Sequence, residues 1–321
     1  MIPLEMQILC ALVLDQLIGD PQGWPHPIRW IGALAAGVEK PLRRQGLDQT
    51  KAGIVGVSVV LTVTGTTAWT VLWGLGLVHP LAADLGGVIV LWTTFAAKDL
   101  RVHSLRVYKT LKQDEIHEAR QAVSMLVGRE TAELDASVVS RACVESVAEN
   151  SVDGVIAPVF FAFLFGPVGA MLYKAVNTLD SMWGYTTGGY KDFGRIAAQL
   201  DDMVNWIPAR MGAVALIAGG KLLGYPAGQA WRVFVRDRNK HPSPNGGQAE
   251  AAMAGLLQVQ LGGEGRYHGQ ISSRPRLGDP IRTLGPEHIL QANRLAGAAV
   301  VLTVVGMLVP RFVILFTMTY L

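Results

Sequence analysis

Residues 141–154 read RACVESVAENSVDG and open a stretch that continues, through an apolar segment, to residue 210. The first part carries a charge at every fourth position: Arg141, Glu145, Glu149 and Asp153. On a helix such residues drift by only about 40° per step and lie along one side. Repulsion among the three carboxylates would be relieved by a hard cation such as Mg²⁺. The alternative is a solvated helix face on which Arg141 pairs with Glu145.

Composition limits the class of protein. The chain has 321 residues, of which 50% are hydrophobic and only 17% charged, and its mean hydropathy is +0.31. In ordinary soluble proteins about a quarter of all residues are charged. The lower charged fraction here predicts a polytopic helical membrane protein. The net charge is +3, and the basic residues lie in loops between apolar segments. This pattern is typical of a membrane protein whose orientation is set by basic cytoplasmic loops, and it does not indicate binding to nucleic acid.

The predicted fold is all-α: a polytopic integral membrane protein forming a single membrane-embedded domain, 1–321, with about five membrane helices. Membrane segments are predicted at about 2–18, 53–78, 81–97, 154–176, 207–224 and 296–320, and helical cytoplasmic stretches at 98–153 and 225–294. Segment 154–176 contains Pro158 and Gly166-Pro167. If it spans fully, the polar residues after 176 lie on the opposite side from Glu145. If it is broken or re-entrant the two groups meet, which the Pro and Gly positions favour.

Polar residues are dense beside these segments, which is unfavourable in a membrane unless they bind something. Between 174 and 210 they include Lys174, Asn177, Asp180, Ser181, Tyr185, Asp201, Asp202, Asn205 and Arg210. Asp201 and Asp202 point about 100° apart on a helix, so at most one joins a given site, and the alternative is a capping role. Near the N-terminus, prolines direct His26 and Arg29 to a fixed place after Asp20; the alternative for His26 is an interfacial loop histidine.

A second polar motif, HPSPNGG, occupies residues 241–247. Its prolines restrict the backbone and its glycines allow a ligand to approach closely, so His241 and Asn245 could contact phosphate or an amide. Glu250 falls in the first turn of a predicted helix, where it could simply favour the helix dipole. Nucleotide-binding fingerprints of the P-loop and Rossmann types are absent from the sequence, as are HEXXH, CXXC and GXSXG.

Several strings together resemble one enzyme family. They are LDQLIGDPQGWPHPIRWIG, ESVAENSVDGVIAP, NTLDSMWGY, AAQLDDMVNWIPAR, HPSPNGGQAEAAMAG and a later LGG with YHG, in this order from about residue 10 to 295. They resemble the integral-membrane adenosylcobinamide-phosphate synthases of cobalamin biosynthesis. The resemblance implies an ATP- and Mg²⁺-dependent ligase that joins the free propionate of adenosylcobyric acid to (R)-1-amino-2-propanol or its O-phosphate.

With this resemblance, roles follow as hypotheses from charge type and spacing. Metal ligands would be Glu145, Glu149 and Asp153. Catalytic residues would be Lys174, Asp180, Asp201, Asp202, Arg210 and His241, the cations neutralising the transferred phosphoryl group and His241 or Asp202 accepting the amine proton. Substrate contacts would be Asp20, His26, Arg29, Asn177, Ser181, Trp183, Tyr185, Asn205, Lys240, Asn245 and Glu250. Trp24, Trp30, Trp183 and Trp206 would form a corrinoid platform or, alternatively, interfacial anchors.

The expected location is the cell (inner) membrane with a cytoplasmic active site. Expected partners are the corrinoid, the amino alcohol or its phosphate, the lipid bilayer and other membrane-bound enzymes of cobalamin assembly. Two other readings remain: a membrane transporter, because intramembrane charge and broken helices typify substrate pathways, and a non-catalytic membrane sensor of the same superfamily.

Overall fold

In a computed structural model the described residues are 1–320 without 22, 45–47, 186–188 and 268–269, and the described side chains further exclude 266–272 and 310–320. The helices are α1 (Leu4–Ile18), α2 (Pro27–Arg44), α3 (Gln49–Val78), α4 (Pro80–Trp92), α5 (Ala97–Lys112), α6 (Ile116–Ser124), α7 (Ala136–Ser151), α8 (Ala157–Trp183), α9 (Arg195–Val204), α10 (Trp206–Leu222), α11 (Ala227–Asp237), α12 (Gly246–Leu257) and α13 (Glu287–Tyr320). A π-helical turn, Val152–Ile156, joins α7 to α8, and two strands, β1 (Leu261–Tyr267) and β2 (Gln270–Leu277), precede α13. The predicted helical class is confirmed.

Four helical stretches of the described chain are long and apolar enough to cross a membrane. They are Gln49–Val78, Pro80–Lys112, Ala136–Trp183 and Glu287–Val309, and they contain or overlap the predicted segments 53–78, 81–97, 154–176 and 296–320. The predicted segments 2–18 and 207–224 are helices of 15 and 17 residues, shorter than the roughly 20 residues of a typical membrane span. Neither is among the four.

The predicted interruption of segment 154–176 is present at Gly166. Its backbone has φ 67° and ψ −163° inside α8, a conformation that glycine adopts at little cost because it lacks a Cβ. Pro167 follows and has no N–H to continue the helical hydrogen bonds. The helix axis therefore kinks at this position.

Contacts divide the chain into two compact units. Unit 1 comprises Met1–Ala96 and Ala157–Asn205, and unit 2 comprises Ala97–Ile156 and Trp206–Leu321. The core of unit 1 is built around Trp183, which has no exposed surface and meets the ring of Phe193 edge-on with centroids 5.0 Å apart. Glu39 accepts hydrogen bonds from Trp183 Nε1 at 3.1 Å and from the Tyr190 hydroxyl at 2.7 Å.

Unit 2 encloses α12 completely. All twelve residues of this helix, GGQAEAAMAGLL, are buried, and it contacts α7, α10, α11 and α13. Small residues allow this close packing: a Cβ on Gly255 would stand 2.6 Å from the Ala230 Cα, and one on Gly220 of α10 would stand 2.3 Å from a Leu256 methyl group. A helix that is apolar on nearly every side is expected to be buried.

The predicted helical stretch 225–294 also contains an antiparallel hairpin. β1 pairs with β2 from Leu261↔Leu277 to Tyr267↔Gln270, with an irregularity between Leu261 and Gly263. Gly262 and Gly263 have φ +80° and +94°, which a residue with a side chain rarely adopts. The helical expectation was therefore wrong for these residues, because two adjacent left-handed glycines end helical geometry and fit a bulge.

Candidate functional site

A buried pair of titratable side chains, His241 and Glu250, lies in unit 2. The His241 Nε2 and Glu250 Oε1 atoms are 3.7 Å apart, and the two side chains are 6% and 1% exposed. Within the described chain, neither atom has a hydrogen-bond partner. Buried polar atoms normally have a hydrogen-bond partner. These two atoms can therefore form a hydrogen bond, or exchange a proton, with a ligand group that enters.

The HPSPNGG motif fixes the position of His241. Its Nδ1 lies 3.1 Å from the Ser243 N and 3.2 Å from the Ser243 carbonyl oxygen. A Cβ on Gly247 would stand 2.7 Å from His241 Cβ, and one on Gly246 would stand 3.0 Å from its Cε1 and 3.6 Å from Glu149 Oε1. The two glycines are therefore required where α12 begins, and His241 and Glu149 border the same small space.

The charges around this pair favour its neutral forms. Burial, followed by the charges of Glu145 and Glu149, raises the pKa of Glu250 well above its ordinary value, against Arg274 and Arg129. Burial, followed by the positive charge of Arg274, lowers the pKa of His241. At neutral pH the imidazole is therefore held mainly neutral, and such a group can accept a proton.

Glu145, predicted as a metal ligand, is occupied by other contacts. Its Oε2 accepts a hydrogen bond from Arg129 Nη2 at 2.6 Å, and both side chains are only 6% exposed. Its Oε1 accepts from the Gly262 N–H at 2.7 Å, and Arg141 Nε stands 3.9 Å away. Glu145 thus connects α7 to the segment before it and to the start of β1.

The predicted magnesium set does not fit the arrangement of these side chains. Glu145 is paired as described, and Asp153 lies in the π-helical turn Val152–Ile156, where the wider turn changes the angular spacing along the charged row. In the part of the chain that the structure describes, no group of three or more His, Cys, Asp and Glu residues could hold a metal ion. The three carboxylates therefore do not form a common site.

Two predicted cationic contacts of unit 2 have protein partners. Lys240 Nζ lies 2.6 Å from Oδ1 of buried Asp237. Arg210 stacks on the Trp206 ring at 4.2 Å, donates to the Trp206 carbonyl at 2.7 Å and reaches Asn245 Oδ1 at 3.4 Å. Lys240 thus supports the end of α11, whereas Arg210 is attached to the HPSPNGG motif.

Sequence reasoning missed the arginines that surround the buried pair. Arg129 and Arg274 influence Glu250, Arg274 influences His241, and Arg276 lies beside Arg141 at Gly263. These residues come from separate stretches of the sequence and form no motif of their own. Only the folding of the hairpin against α7 brings them near the acidic row.

The remaining predicted residues lie in unit 1. His26 Nε2 is 3.1 Å from Asp20 Oδ1, and Arg29 Nη1 donates to the Trp24 carbonyl at 3.4 Å. Asn205 accepts from the Tyr173 hydroxyl at 2.9 Å and donates to Asp201 at 3.0 Å. The Asp20–His26 and Asp201–Asn205 pairs are therefore ordered polar contacts of this unit.

The polar residues predicted from Lys174 onward are divided among α8, the segment after it and α9. Lys174, Asn177, Asp180 and Ser181 lie in α8, which ends at Trp183, and so Tyr185 stands outside the helix. Asp202 lies in α9. Trp183 has no exposed surface and therefore offers no platform to a corrinoid, whereas Trp24, Trp30 and Trp206 are more than half exposed.

Comparison with known proteins places this arrangement in a family. Residues 8–296 match the family model described as CobD/Cbib protein. A "Cobalamin biosynthesis protein CobD" of Desulfotalea psychrophila is 41% identical, over 97% of this chain and 98% of the relative. Proteins with the same printed name from Leptospira interrogans (40%, covering 92% and 94%) and Streptococcus sanguinis (40%, covering 98% and 96%) are similar. No solved structure matches the chain significantly. The chain belongs to the CobD/CbiB family of cobalamin biosynthesis proteins.

Proposed function

We propose that this protein is an ATP-dependent acid–amine ligase that forms an amide between the free propionate of adenosylcobyric acid and (R)-1-amino-2-propanol or its O-phosphate. Membership of a cobalamin biosynthesis family supports the corrinoid substrate class. The proposed reaction type is supported by the buried His241–Glu250 pair, which lies near Glu149 and has two atoms without hydrogen-bond partners in the described chain. Such a pair suits a step in which an amine must lose a proton.

The proposed reaction has two steps. ATP transfers its terminal phosphoryl group to the propionate, giving an acyl phosphate and ADP. The neutral amine then attacks the acyl carbon, so that a C–N bond forms while the C–O bond to phosphate breaks. Phosphate leaves and one amine proton passes to a base. Activation is needed because a carboxylate by itself does not react with an amine at a useful rate.

His241 is the proposed base. When its Nδ1–H donates to the Ser243 carbonyl, Nε2 is left as an acceptor. Its lowered pKa keeps it unprotonated at neutral pH, and positioned general bases typically contribute about 10²- to 10⁴-fold to a rate. Glu250 Oε1 lies 3.7 Å from Nε2, and its neutral carboxyl group can donate or accept a hydrogen bond there.

Arg210 is proposed to stabilise phosphoryl oxygens near Asn245, because preorganised cations stabilise developing negative charge. Glu149 would be the carboxylate that holds Mg²⁺, and the ion would supply positive charge that stabilises the transferred phosphoryl group. Such an ion keeps several waters and needs only one or two protein carboxylates. Lys174, Asp180, Asp201, Asp202 and the polar residues of the GDPQGWPHPIR segment keep their predicted roles as proposals.

The test is an assay of the purified, detergent-solubilised protein with ATP, Mg²⁺, adenosylcobyric acid and each candidate amine. We expect one ADP released per amide formed. His241→Asn should lower turnover by about 10²-fold or more, whereas Arg232→Gln, a change at an exposed arginine of α11, should not. Binding of the corrinoid without ADP or amide, in folded wild-type protein, would instead support the transporter or sensor reading.

A further inference from the structure

The turn that opens β1 brings the side chains of Arg141 and Arg276 close to one glycine, Gly263. A Cβ on Gly263 would stand 3.1 Å from Arg141 Nη1 and 4.0 Å from Arg276 Nε. Gly263 has φ +94°, so its conformation as well as the space favours glycine. The two arginines therefore flank a piece of backbone that carries no side chain.

Arg141 keeps unused hydrogen-bonding capacity at this turn. Glu145 accepts its 2.6 Å hydrogen bond from Arg129, whereas Arg141 Nε stands 3.9 Å from the same carboxylate. In the described part of the chain Arg141 Nε is buried and lacks a hydrogen-bond partner. Arg129 and Arg276 act on Arg141 as like charges, and Glu145 and Asp135 act on it as opposite charges.

The other contacts of the two arginines are to neutral oxygens. Arg141 Nη2 donates to the Glu264 carbonyl at 3.2 Å, and Arg276 Nη1 donates to Gln260 Oε1 at 2.9 Å. These hydrogen bonds orient the two guanidinium groups without neutralising their positive charge. A guanidinium has five N–H donors, so each side chain keeps donors for a further acceptor.

We propose that Arg141, Arg276 and the backbone at Gly263 form a binding site for a phosphate group. A guanidinium matches phosphate oxygens with two parallel hydrogen bonds. A glycine turn lets the anion approach the backbone closely. An anion between the arginines also relieves their mutual repulsion, which a cation or a neutral ligand would not do.

The phosphate has two candidate sources that share this chemistry, ATP and the O-phosphate of the amino alcohol. The choice between them rests on the proposed ligase function, but the existence of the site does not. Binding can therefore be measured apart from catalysis.

The experiment is equilibrium dialysis of the full-length, detergent-solubilised protein with labelled ATP, inorganic phosphate or O-phosphoethanolamine. EDTA is included so that no metal ion bridges the ligand to a carboxylate. Arg141→Gln and Arg276→Gln are compared with Arg232→Gln, which removes the same charge from an exposed position of α11. Thermal unfolding of each variant is recorded, and exposed Arg276 provides a change with little structural consequence.

Each arginine variant is expected to weaken binding by about ten- to hundredfold, the effect of losing a charge-assisted hydrogen bond. A loss confined to ATP assigns the site to the nucleotide, and a loss confined to O-phosphoethanolamine assigns it to the amine phosphate. Arg141→Lys keeps the positive charge but lacks the planar pair of N–H donors. It should therefore bind the probes more tightly than Arg141→Gln but more weakly than the wild type. Unchanged binding of all three probes by folded Arg276→Gln and Arg141→Gln would overturn the proposal. If the wild-type protein forms no amide but the arginine variants still bind phosphate more weakly, the phosphate site is supported and the proposed ligase function is rejected.

Discussion

Two carboxylates one helical turn apart on α7 have different surroundings. Glu145 is 6% exposed and is paired with Arg129, which is equally buried, whereas Glu149 is half-buried and borders the space near His241. Removing one member of a buried ion pair leaves an uncompensated charge. Glu145 should therefore act mainly on stability and Glu149 mainly on activity.

We predict that Glu145→Gln lowers the free energy of unfolding by about 3–5 kcal/mol and that Glu149→Gln changes it by less than about 1 kcal/mol. Denaturant unfolding in detergent measures both. In the assay, Glu149→Gln should lose most of its turnover while remaining folded. Equal destabilisation by the two variants would contradict the distinction drawn from their contacts.

The raised pKa of Glu250 predicts a pH-dependent stability. A carboxyl group whose folded-state pKa lies above its ordinary value of 4.5 favours the folded state at low pH, and this contribution is lost as pH rises through the folded-state pKa. Burial and the charges of Glu145 and Glu149 act in this direction, and those of Arg274 and Arg129 oppose it.

Glu250→Gln should consequently be more stable than the wild type at pH 7–8, and the difference should shrink as pH falls towards 4.5. Unfolding curves at several pH values check this. The His241→Asn variant in the same series separates the contribution of the neighbouring imidazole. A stability difference that is independent of pH would show that Glu250 does not change its protonation on folding.

Sequence reasoning located the residues of the candidate site better than their environments. The HPSPNGG motif drew attention to His241 and Asn245 and predicted a helix with Glu250 in its first turn, because turn prolines and glycines are local signals; the helix begins at Gly246. It could not predict that Glu250 is buried, since burial depends on α7, α10, α11 and α13. The position of Trp183 in a polar motif likewise gave no sign that its indole N–H bonds to Glu39.

At the scale of elements, packing of α12 depends on glycine at selected positions. A Cβ on Gly255 would stand 2.6 Å from the Ala230 Cα of α11, and backbone atoms cannot move aside as a side-chain end can. On α13, no described atom lies within 4 Å of the Cβ position of Gly297.

Gly255→Ala is therefore expected to destabilise unit 2 by about 1–3 kcal/mol through overpacking. Gly297→Ala, the matched control, should stabilise it by up to about 1 kcal/mol because alanine favours the helix. Thermal unfolding of the two variants in one detergent gives the comparison. The two substitutions are expected to change the unfolding temperature in opposite directions. A higher unfolding temperature of Gly255→Ala would show that α11 and α12 pack less tightly than the structure indicates.

The elements best predicted from sequence were the long apolar helices and the break at Gly166, because both depend on composition within one segment. The β1–β2 hairpin was missed because its strands, LGGEGRY and QISSRPRL, lack an apolar alternation. Its bulge and its contact with Glu145 arise only from tertiary structure. Arg274 and Arg276 were missed together with it.

At the scale of the whole molecule, exposed apolar side chains mark faces for which we predict contact with lipid. Along α1, Met6, Val13 and Leu17 are 50%, 55% and 70% exposed, and Cys10 is exposed between them. These positions recur at helical spacing on one side. Cys143 of α7, by contrast, has no exposed surface.

In native membranes Cys10 should react with a small lipophilic maleimide and poorly with a charged one, while Cys143 should react with neither. After unfolding in sodium dodecyl sulfate both should react with both reagents. Mass spectrometry of the labelled peptides, with Cys10→Ser as the reference, measures the outcome. Rapid reaction of Cys10 with the charged reagent would show that this face of α1 meets water.

The complete enclosure of α12 has a consequence for biosynthesis of the protein. Its twelve residues are too few to cross a bilayer alone, and one of its neighbours, α13, is translated after it. Until α13 leaves the ribosome, the side of α12 that packs against it has no covering. The complete enclosure of α12 is therefore reached only after α13 has been synthesised.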